Sequence, residues 1–436
     1  QASLLWSAVR VLVVNAGEVA HLSHGDLSEP LKGQEMSDKE LNVYEKGKGL
    51  LIGDGKVLKI ADSDELISEF CPSWDGSKEK SDGISVVNAR GNAIIPGFVD
   101  SHTHLIWSGD RSNEMALRQS GMSYSEISGI GGGISKTVRS TRECTLDELI
   151  NIGTTNANKA LMLGTTTLEA KSGYGLNLES EIAILRAYKV VNGISSCNVY
   201  STWLGAHDFP SSTTREDYID ELIHKQLPEV CKLGIARWAD VFCEPGWFTV
   251  DESKEILLAS SEMGLSPRIH ADEFVDSNGL DMAADIGCVS ADHVACSNDD
   301  ARSKADAFGV MQTFLPGTQY VMGMSEFPPI KSCLENSWAF SIASDFNPNC
   351  NSISMPFVGS LATHRCGIDP IAALVASTRN PATTFSDGAP PDFGSLREGG
   401  DASLNILRTK SVEGWCQSPG MNPILQTISN GVIVKL

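Results

Sequence analysis

A regular alternation of short apolar stretches with amphipathic helices, from residue 94 to residue 379, most constrains the fold of this chain. Each apolar stretch is short enough to be a strand buried on both faces, as in a parallel sheet. Helical spacing is clear at residues 181–191 and at residues 251–264, where acidic residues begin the helix and glycine ends it. Eight stretches are predicted as strands: residues 94–99, 165–170, 199–206, 239–243, 267–271, 289–292, 309–315 and 338–344.

Eight strand–helix repeats in succession predict a TIM (β/α)8 barrel, an α/β fold whose strands close into an inner ring. A doubly wound open sheet is the alternative, because a count of strands does not establish closure. That alternative is disfavoured, because no Gly-rich dinucleotide-binding fingerprint follows any predicted strand.

The two ends of the chain show a different pattern, in which short β-like runs alternate with glycine-containing turns. Such runs occur at residues 11–15, 50–53, 57–60 and 84–87, and again at residues 402–407 and 427–436. We expect the two ends to combine into one small β-sandwich, since neither carries enough strands alone. The predicted organisation is a β-sandwich made of residues 1–92 and 386–436, with the barrel at residues 93–385.

Charge and cysteine content narrow the class of protein. The net charge of −21 repels phosphate backbones and disfavours a nucleic-acid partner. No apolar run approaches the roughly 20 residues that cross a bilayer, so we expect no membrane association. The 11 cysteines form no CxxC pair and no regular framework, which is typical of the reducing cytoplasm.

Polar residues stand where barrel strands end, which is where barrel enzymes place their chemistry. His102 and His104 follow the first strand at positions i and i+2, so both imidazoles project to the same side. His270 ends the fifth predicted strand and Asp345 the eighth, while His207 and His293 end two others. Three imidazoles and one carboxylate suit Zn or Fe. The sequence therefore predicts a metal site formed by His102, His104, His270 and Asp345.

Six motifs resemble those of the imidazolonepropionases of histidine breakdown, a branch of the amidohydrolase superfamily. They are "PGFVDSHTHLIWSGDR", "GGGISKTVRSTR", "TTTLEAKSGYGLNLESE", "GAH", "IHADEF" and "SDFNPN". The resemblance covers about the whole chain. "KSGYGL" and "SDFNPN" are specific to this branch, whereas His-x-His occurs throughout the superfamily.

The resemblance implies hydrolysis of the cyclic amide 4-imidazolone-5-propanoate to N-formimino-L-glutamate, and it implies a homodimer. It implies one metal ion on the four residues above, since strand four ends in Cys243-Glu244 and not in the carbamylated lysine of binuclear relatives. It makes His293 the catalytic histidine of strand six. The positions that match substrate contacts are Arg111, Tyr174, His207, Glu273 and Asn347.

Physical reasoning adds roles for three of these residues. Arg111 suits the anionic propionate, because a guanidinium binds a carboxylate through two parallel hydrogen bonds. Glu273 and Asp345 are both candidates for accepting and returning the proton that ring opening requires, and the sequence does not decide between them. The departure from the family pattern at Asn349-Cys350 leaves the backbone contacts to the propionate open.

Two other functions compete with this interpretation. One is a mononuclear amidohydrolase with a different substrate, such as a deaminase or another cyclic-amide hydrolase. The other is a barrel that has lost its chemistry and serves as a binding protein. The presence of all four candidate ligands disfavours the second of these.

Overall fold

The computed structural model describes residues 9–435, without the side chains of residues 9, 10, 124 and 125. The strands are β1 Val9–Val14, β2 Val19–Ala20, β3 Val43–Tyr44, β4 Lys48–Gly53, β5 Lys56–Asp62, β6 Lys80–Ser81, β7 Ile84–Asn88, β8 Ile94–Pro96, β9 Phe98–Asp100, β10 Thr165–Lys171, β11 Asn198–Ala206, β12 Ala236–Cys243, β13 Ser266–Ala271, β14 Ser290–His293, β15 Met311–Phe314, β16 Phe340–Ile342, β17 Leu404–Leu407, β18 Ile424–Ser429 and β19 Val432–Ile433.

The helices follow the predicted alternation, with additional short helices in the connecting segments. The α-helices are α1 Gln34–Ser37, α2 Lys39–Asn42, α3 Ser63–Phe70, α4 Glu114–Gln119, α5 Tyr124–Gly129, α6 Gly133–Arg142, α7 Leu146–Met162, α8 Leu178–Ile194, α9 Arg215–Glu221, α10 Leu227–Leu233, α11 Val250–Glu262, α12 Gly279–Ile286, α13 Asp299–Ala307, α14 Pro316–Met322, α15 Ile330–Glu335, α16 Met355–His364, α17 Pro370–Ala376 and α18 Arg379–Thr383. A π-helical turn at Leu222–Gln226 joins α9 to α10, and a 3-10 turn lies at Val412–Trp415. Within residues 9–435, no helix has the length and apolar character needed to span a bilayer.

The eight strands β9 to β16 follow one another in a single sheet in chain order, and each neighbouring pair from β11 to β16 is parallel. The segments just after the first and last strands also meet, through a parallel bridge between Thr103 and Phe346. There the backbone N–H of His104 donates to the carbonyl of Phe346 at 2.8 Å, and that of Asp345 donates to the carbonyl of His102 at 3.1 Å. The predicted TIM barrel is confirmed, and the open sheet is excluded.

The predicted first barrel strand, residues 94–99, is in fact two strands that belong to different sheets. β8 pairs with β17, whereas β9 begins the barrel, and Gly97 separates them. A Cβ atom built on Gly97 would overlap the Thr166 hydroxyl. Glycine is therefore needed here because the backbone passes directly against a neighbouring strand.

We expect the substitution Gly97→Ala to lower the free energy of unfolding by about 1–3 kcal/mol, the usual cost of overpacking a buried site. Urea unfolding followed by circular dichroism measures the change. Gly193→Ala is the matched control, because Gly193 lies in α8 with open space around it, and alanine favours helix there by up to about 1 kcal/mol. Equal stability of the two variants would contradict the close approach at Gly97.

The ends of the chain form two further sheets, the first from N-terminal strands and the second from strands of both ends. One has the strand order β5-β4-β1-β7-β6 and the other has the order β19-β18-β17-β8-β2-β3. Apolar side chains of both sheets form one core, as in the predicted sandwich; it includes Val11, Val13, Leu50, Ile52, Val57, Val19, Ile94, Leu404, Ile406 and Ile428. The last residue of the predicted run 427–436 lies outside the described part of the chain.

Contacts divide the chain into two compact units. One runs up to Val99 and also takes in Ala160–Thr167 and the chain from Ser354 onward, while the other comprises Asp100–Lys159 and Leu168–Ile353. The domain boundaries at residues 92/93 and 385/386 stay a prediction.

Candidate metal centre

The four predicted ligands converge with His293 at the carboxyl ends of the barrel strands. His102 and His104 follow β9, His270 lies in β13, His293 ends β14 and Asp345 follows β16. One ligand atom from each of His102, His104 and His270 can be chosen so that all lie within 4.8 Å of one another, and the same holds for His102, His293 and Asp345. All five side chains are buried. Parallel strands bring their ends to one rim of the barrel, so side chains far apart in sequence meet there.

Distances within the cluster are short. His102 Nε2 lies 3.4 Å from Asp345 Oδ1, and His104 Nε2 lies 3.9 Å from the same oxygen. The ring centroids of His102 and His270 are 4.4 Å apart. One cation is therefore within reach of imidazoles from two strands and a carboxylate from a third.

Two buried aspartates fix the orientation of two of the histidines. His102 Nδ1 lies 2.6 Å from Asp292 Oδ2, and His270 Nδ1 lies 3.0 Å from Asp240 Oδ1. A carboxylate accepts hydrogen bonds only, so each Nδ1 carries the proton and each Nε2 presents a lone pair. Both Nε2 atoms are buried and have no hydrogen-bond partner among residues 9–435. Unpaired buried nitrogen acceptors beside a carboxylate fit a metal such as Zn or Fe.

A buried lysine joins the two aspartates, and the sequence interpretation missed this network. Lys171 Nζ lies 2.6 Å from Asp240 Oδ2, 2.9 Å from Glu169 Oε1 and 3.3 Å from Asp292 Oδ2. All four side chains are inaccessible to solvent. Charged residues inside apolar strands were the available signal, because a buried charge is retained only where it is paired.

Asp345 adopts a left-handed backbone conformation, with φ of 51°. Its Oδ2 accepts a hydrogen bond from the Thr318 hydroxyl. Burial alone would raise the pKa of Asp345, but the nearby imidazoles of His102 and His293 outweigh burial and lower it. Asp345 is therefore ionised at neutral pH, as a metal ligand must be.

Glu273 and His293 form a second pair on the inner side of the cavity, with 3.6 Å between Glu273 Oε2 and His293 Nε2. Burial, followed by the charges of Asp345 and Glu244, raises the pKa of Glu273 well above its ordinary value. Burial, aided by His270 and His102, lowers the pKa of His293 to about 3 against the opposing effect of Asp345. Carboxyl groups with such raised pKa values are suited to proton transfer near neutrality.

The cavity above the cluster contains most of the predicted substrate contacts. Tyr174, His207, Glu273 and Asn347 line it, whereas Arg111 is not among the described residues that do. Five further lining residues were not predicted: Ile134 in α6, Phe242 in β12, Thr318 in α14, and Phe274 and Asn349 in loops.

The turn that carries Tyr174 is held by charged side chains. Glu181 accepts hydrogen bonds from the backbone N–H groups of Gly173, Gly175 and Leu176. His207 Nδ1 lies 2.9 Å from the carbonyl of Gly173, so it donates there. Tyr174 and His207 are thereby fixed side by side, with ring centroids 5.2 Å apart.

Arg111 and Asn347 are engaged within the protein. Arg111 is buried against Glu114, with Nε 2.9 Å and Nη2 2.8 Å from Glu114 Oε2. Glu114 Oε1 also accepts the backbone N–H of Gly133 at 3.0 Å, which ties the glycine-rich segment Gly131-Gly132-Gly133 to this pair. Asn347 Oδ1 caps its own turn by accepting the N–H groups of Asn349 and Cys350.

Comparisons with known proteins agree with this geometry. The amidohydrolase family model matches residues 93–435. An imidazolonepropionase of Symbiobacterium thermophilum is 36% identical over 430 residues, which cover 98% of this chain and 97% of the relative. That of Haloarcula marismortui is 35% identical, covering 93% of this chain and 94% of the relative.

Two solved structures share the fold at low sequence identity. A guanine deaminase from C. acetobutylicum with bound guanine has a TM-score of 0.68 and 13% identity, over 98% of this chain and 100% of the other. A zinc-bound adenosine deaminase from Xanthomonas campestris has a TM-score of 0.66 and 14% identity, over 97% and 92%. From the family model and the relatives that match nearly its full length, the chain belongs to the amidohydrolase family and, within it, to the imidazolonepropionases.

Proposed function

We propose that this protein hydrolyses 4-imidazolone-5-propanoate to N-formimino-L-glutamate in histidine degradation. The observation that carries the proposal is the convergence of His102, His104, His270 and Asp345 in a chain related over nearly its whole length to imidazolonepropionases. These four residues would hold one Zn or Fe ion. When bound, such an ion lowers the pKa of water toward neutrality and polarises a carbonyl.

In this reaction water adds to the ring carbonyl carbon, the neighbouring C–N bond breaks, and the departing nitrogen takes a proton. Glu273 accepts the proton from water and returns it to that nitrogen. The choice of Glu273 over Asp345 rests on their opposite pKa shifts, since Asp345 stays ionised while Glu273 gains a proton readily. His293 donates a hydrogen bond to the oxygen on which negative charge develops.

Arg111, Tyr174 and His207 receive the propionate, and Asn347 lines the same cavity as Tyr174 and His207. Tyr174 and His207 line the cavity directly, and both are held rigidly by the turn around Glu181. Glu114 fixes the guanidinium of Arg111 near the glycine-rich segment, so recognition of the carboxylate depends on that segment as well.

We expect Arg111→Lys to raise KM and to lower kcat/KM by about 10- to 100-fold, the equivalent of losing one charge-assisted hydrogen bond of about 1.5–3 kcal/mol. Lysine keeps the charge but not the two-pronged geometry. Initial rates over a range of substrate concentrations separate KM from kcat. Arg186→Lys is the control, because Arg186 lies exposed on α8 and is not among the described residues that line the cavity. Similar kinetics for both variants would remove Arg111 from substrate recognition.

The proposed function is tested by adding freshly prepared imidazolone propionate to the purified protein and following its ultraviolet absorbance. The absorbance should fall, the fall should stop after chelation of the metal, and it should resume when Zn²⁺ is restored. Metal-loaded protein that leaves this substrate intact but deaminates neutral nucleobases would support the alternative amidohydrolase instead. Inactivity toward both substrate classes, with no bound metal, would support the binding protein.

We also propose where the protein is located and how it assembles. All 11 cysteines are free thiols, which supports a cytoplasmic location. A homodimer is proposed from the family resemblance, and sedimentation of the purified protein measures it.

A further inference from the structure

We propose that Lys171 is a positioning residue of the metal centre. Through Asp292 and Asp240, Lys171 holds two of the ligand histidines, His102 after β9 and His270 in β13, in their positions. The inference rests on the proposed function of the centre as a metal site. It concerns a buried side chain to which neither the sequence motifs nor the family relationship assigns a role.

The barrel topology explains why these charges meet. Glu169 and Lys171 are two residues apart in β10, so both project to the same side of that strand. Asp240 lies in β12 and Asp292 in β14, so the network is built from alternate strands of the barrel. Side chains from alternate strands form one layer across a TIM barrel, and here one layer is ionic where apolar residues are usual.

Lys171 links the two histidine–aspartate pairs by contacting both aspartates. Asp240 uses Oδ1 for His270 and Oδ2 for Lys171. Asp292 presents Oδ2 to both His102 and Lys171. A continuous path therefore runs from one imidazole through an aspartate, the ammonium and the second aspartate to the other imidazole.

Removal of the ammonium would leave two like charges to repel each other in a dry environment. Asp240 and Asp292 would then rotate apart, and this movement frees the imidazole that each one orients. Loss of such outer contacts typically weakens metal affinity 10- to 100-fold. Glu169 differs from the aspartates, since its Oε1 contacts Lys171 and the Thr202 hydroxyl but no histidine.

The test compares Glu169→Gln with the double variant E169Q/K171M, which loses one negative and one positive charge together. Zn²⁺ affinity is measured by competition with a chromogenic chelator, and the coordination geometry is read from the visible spectrum of the Co²⁺-substituted protein. We expect the double variant to bind Zn²⁺ about 10- to 100-fold more weakly than Glu169→Gln and to give an altered Co²⁺ spectrum. Equal affinity and an unchanged spectrum would overturn the inference.

Two controls separate positioning from general loss of stability. Arg379→Met removes a buried cation that donates to backbone carbonyls of Leu22 and Asp26, so it should lower stability and leave the Co²⁺ spectrum unchanged. If E169Q/K171M does not fold, Lys171→Arg takes its place, because arginine keeps the charge but alters the geometry of the contacts. We expect Lys171→Arg to alter the Co²⁺ spectrum, and an unchanged spectrum would overturn the inference. Failure of the unmodified protein to bind Zn²⁺ would instead overturn the proposed function, and the inference with it.

Discussion

The substitution Asp345→Asn should yield a folded protein without stably bound metal and with kcat/KM lowered by about a thousandfold, or about 4 kcal/mol of transition-state stabilisation. An amide has nearly the shape of the carboxylate but is a poor ligand. Asparagine also tolerates the left-handed backbone at this position, where φ is 51°. The loss would therefore report on ligand chemistry and not on strain.

Metal content by atomic absorption and initial rates measure the effect of Asp345→Asn. Asp110→Asn, at an exposed position, is the control and should behave as the unmodified protein. Chelation of the unmodified protein should reproduce the loss, and added Zn²⁺ should restore activity to that protein but not to the variant. Retention of full metal content with activity within tenfold would exclude Asp345 as a ligand.

The substitution Glu273→Gln should lower kcat by about 10²- to 10⁴-fold while leaving metal content unchanged, because the variant cannot accept or return a proton. Glutamine is isosteric, and the backbone N–H of residue 273 still donates to Glu244. Because Glu273 must be ionised to accept the proton from water, activity of the unmodified protein falls as pH falls through its raised pKa. The variant should lack this decrease in activity at low pH, the acidic limb of the pH–rate profile.

Stopped-flow rates from acid to alkaline pH, together with metal analysis, test the role of Glu273. A variant that keeps the acidic limb and most of its kcat would reassign proton transfer to another group. Glu179→Gln, at the solvent-exposed start of α8, is the matched control and should leave both the limb and kcat in place.

The barrel and the cluster at its rim were predictable for one physical reason. Strands buried on both faces are mostly apolar, so polar residues at their carboxyl ends mark the rim of the barrel. His270 and Asp345 were found in this way. The division of residues 94–99 into two strands was not found, because the contact of Gly97 with Thr166 depends on tertiary structure.

Physical reasons also explain why other features of the site could not be predicted. The direction of the Arg111 side chain depends on the irregular segment between β9 and α4, where no periodicity fixes orientation, and its pairing with Glu114 appears only in three dimensions. The ionic layer around Lys171 carried a signal in the sequence, since Asp240 and Asp292 interrupt apolar strands. Only the fold shows that these charges neutralise one another.

The two-sheet core built from both termini has a consequence for biosynthesis. Val13 and Leu50 emerge from the ribosome long before their partners Leu404 and Ile428, which lie more than about 350 residues further along the chain. Until then the nascent chain carries apolar strand edges that are prone to aggregation. Contacts so distant in sequence also form slowly. Newly made chains should thus depend on chaperones until Leu404 and Ile428 have been made, and truncation before Leu404 should prevent this core from forming.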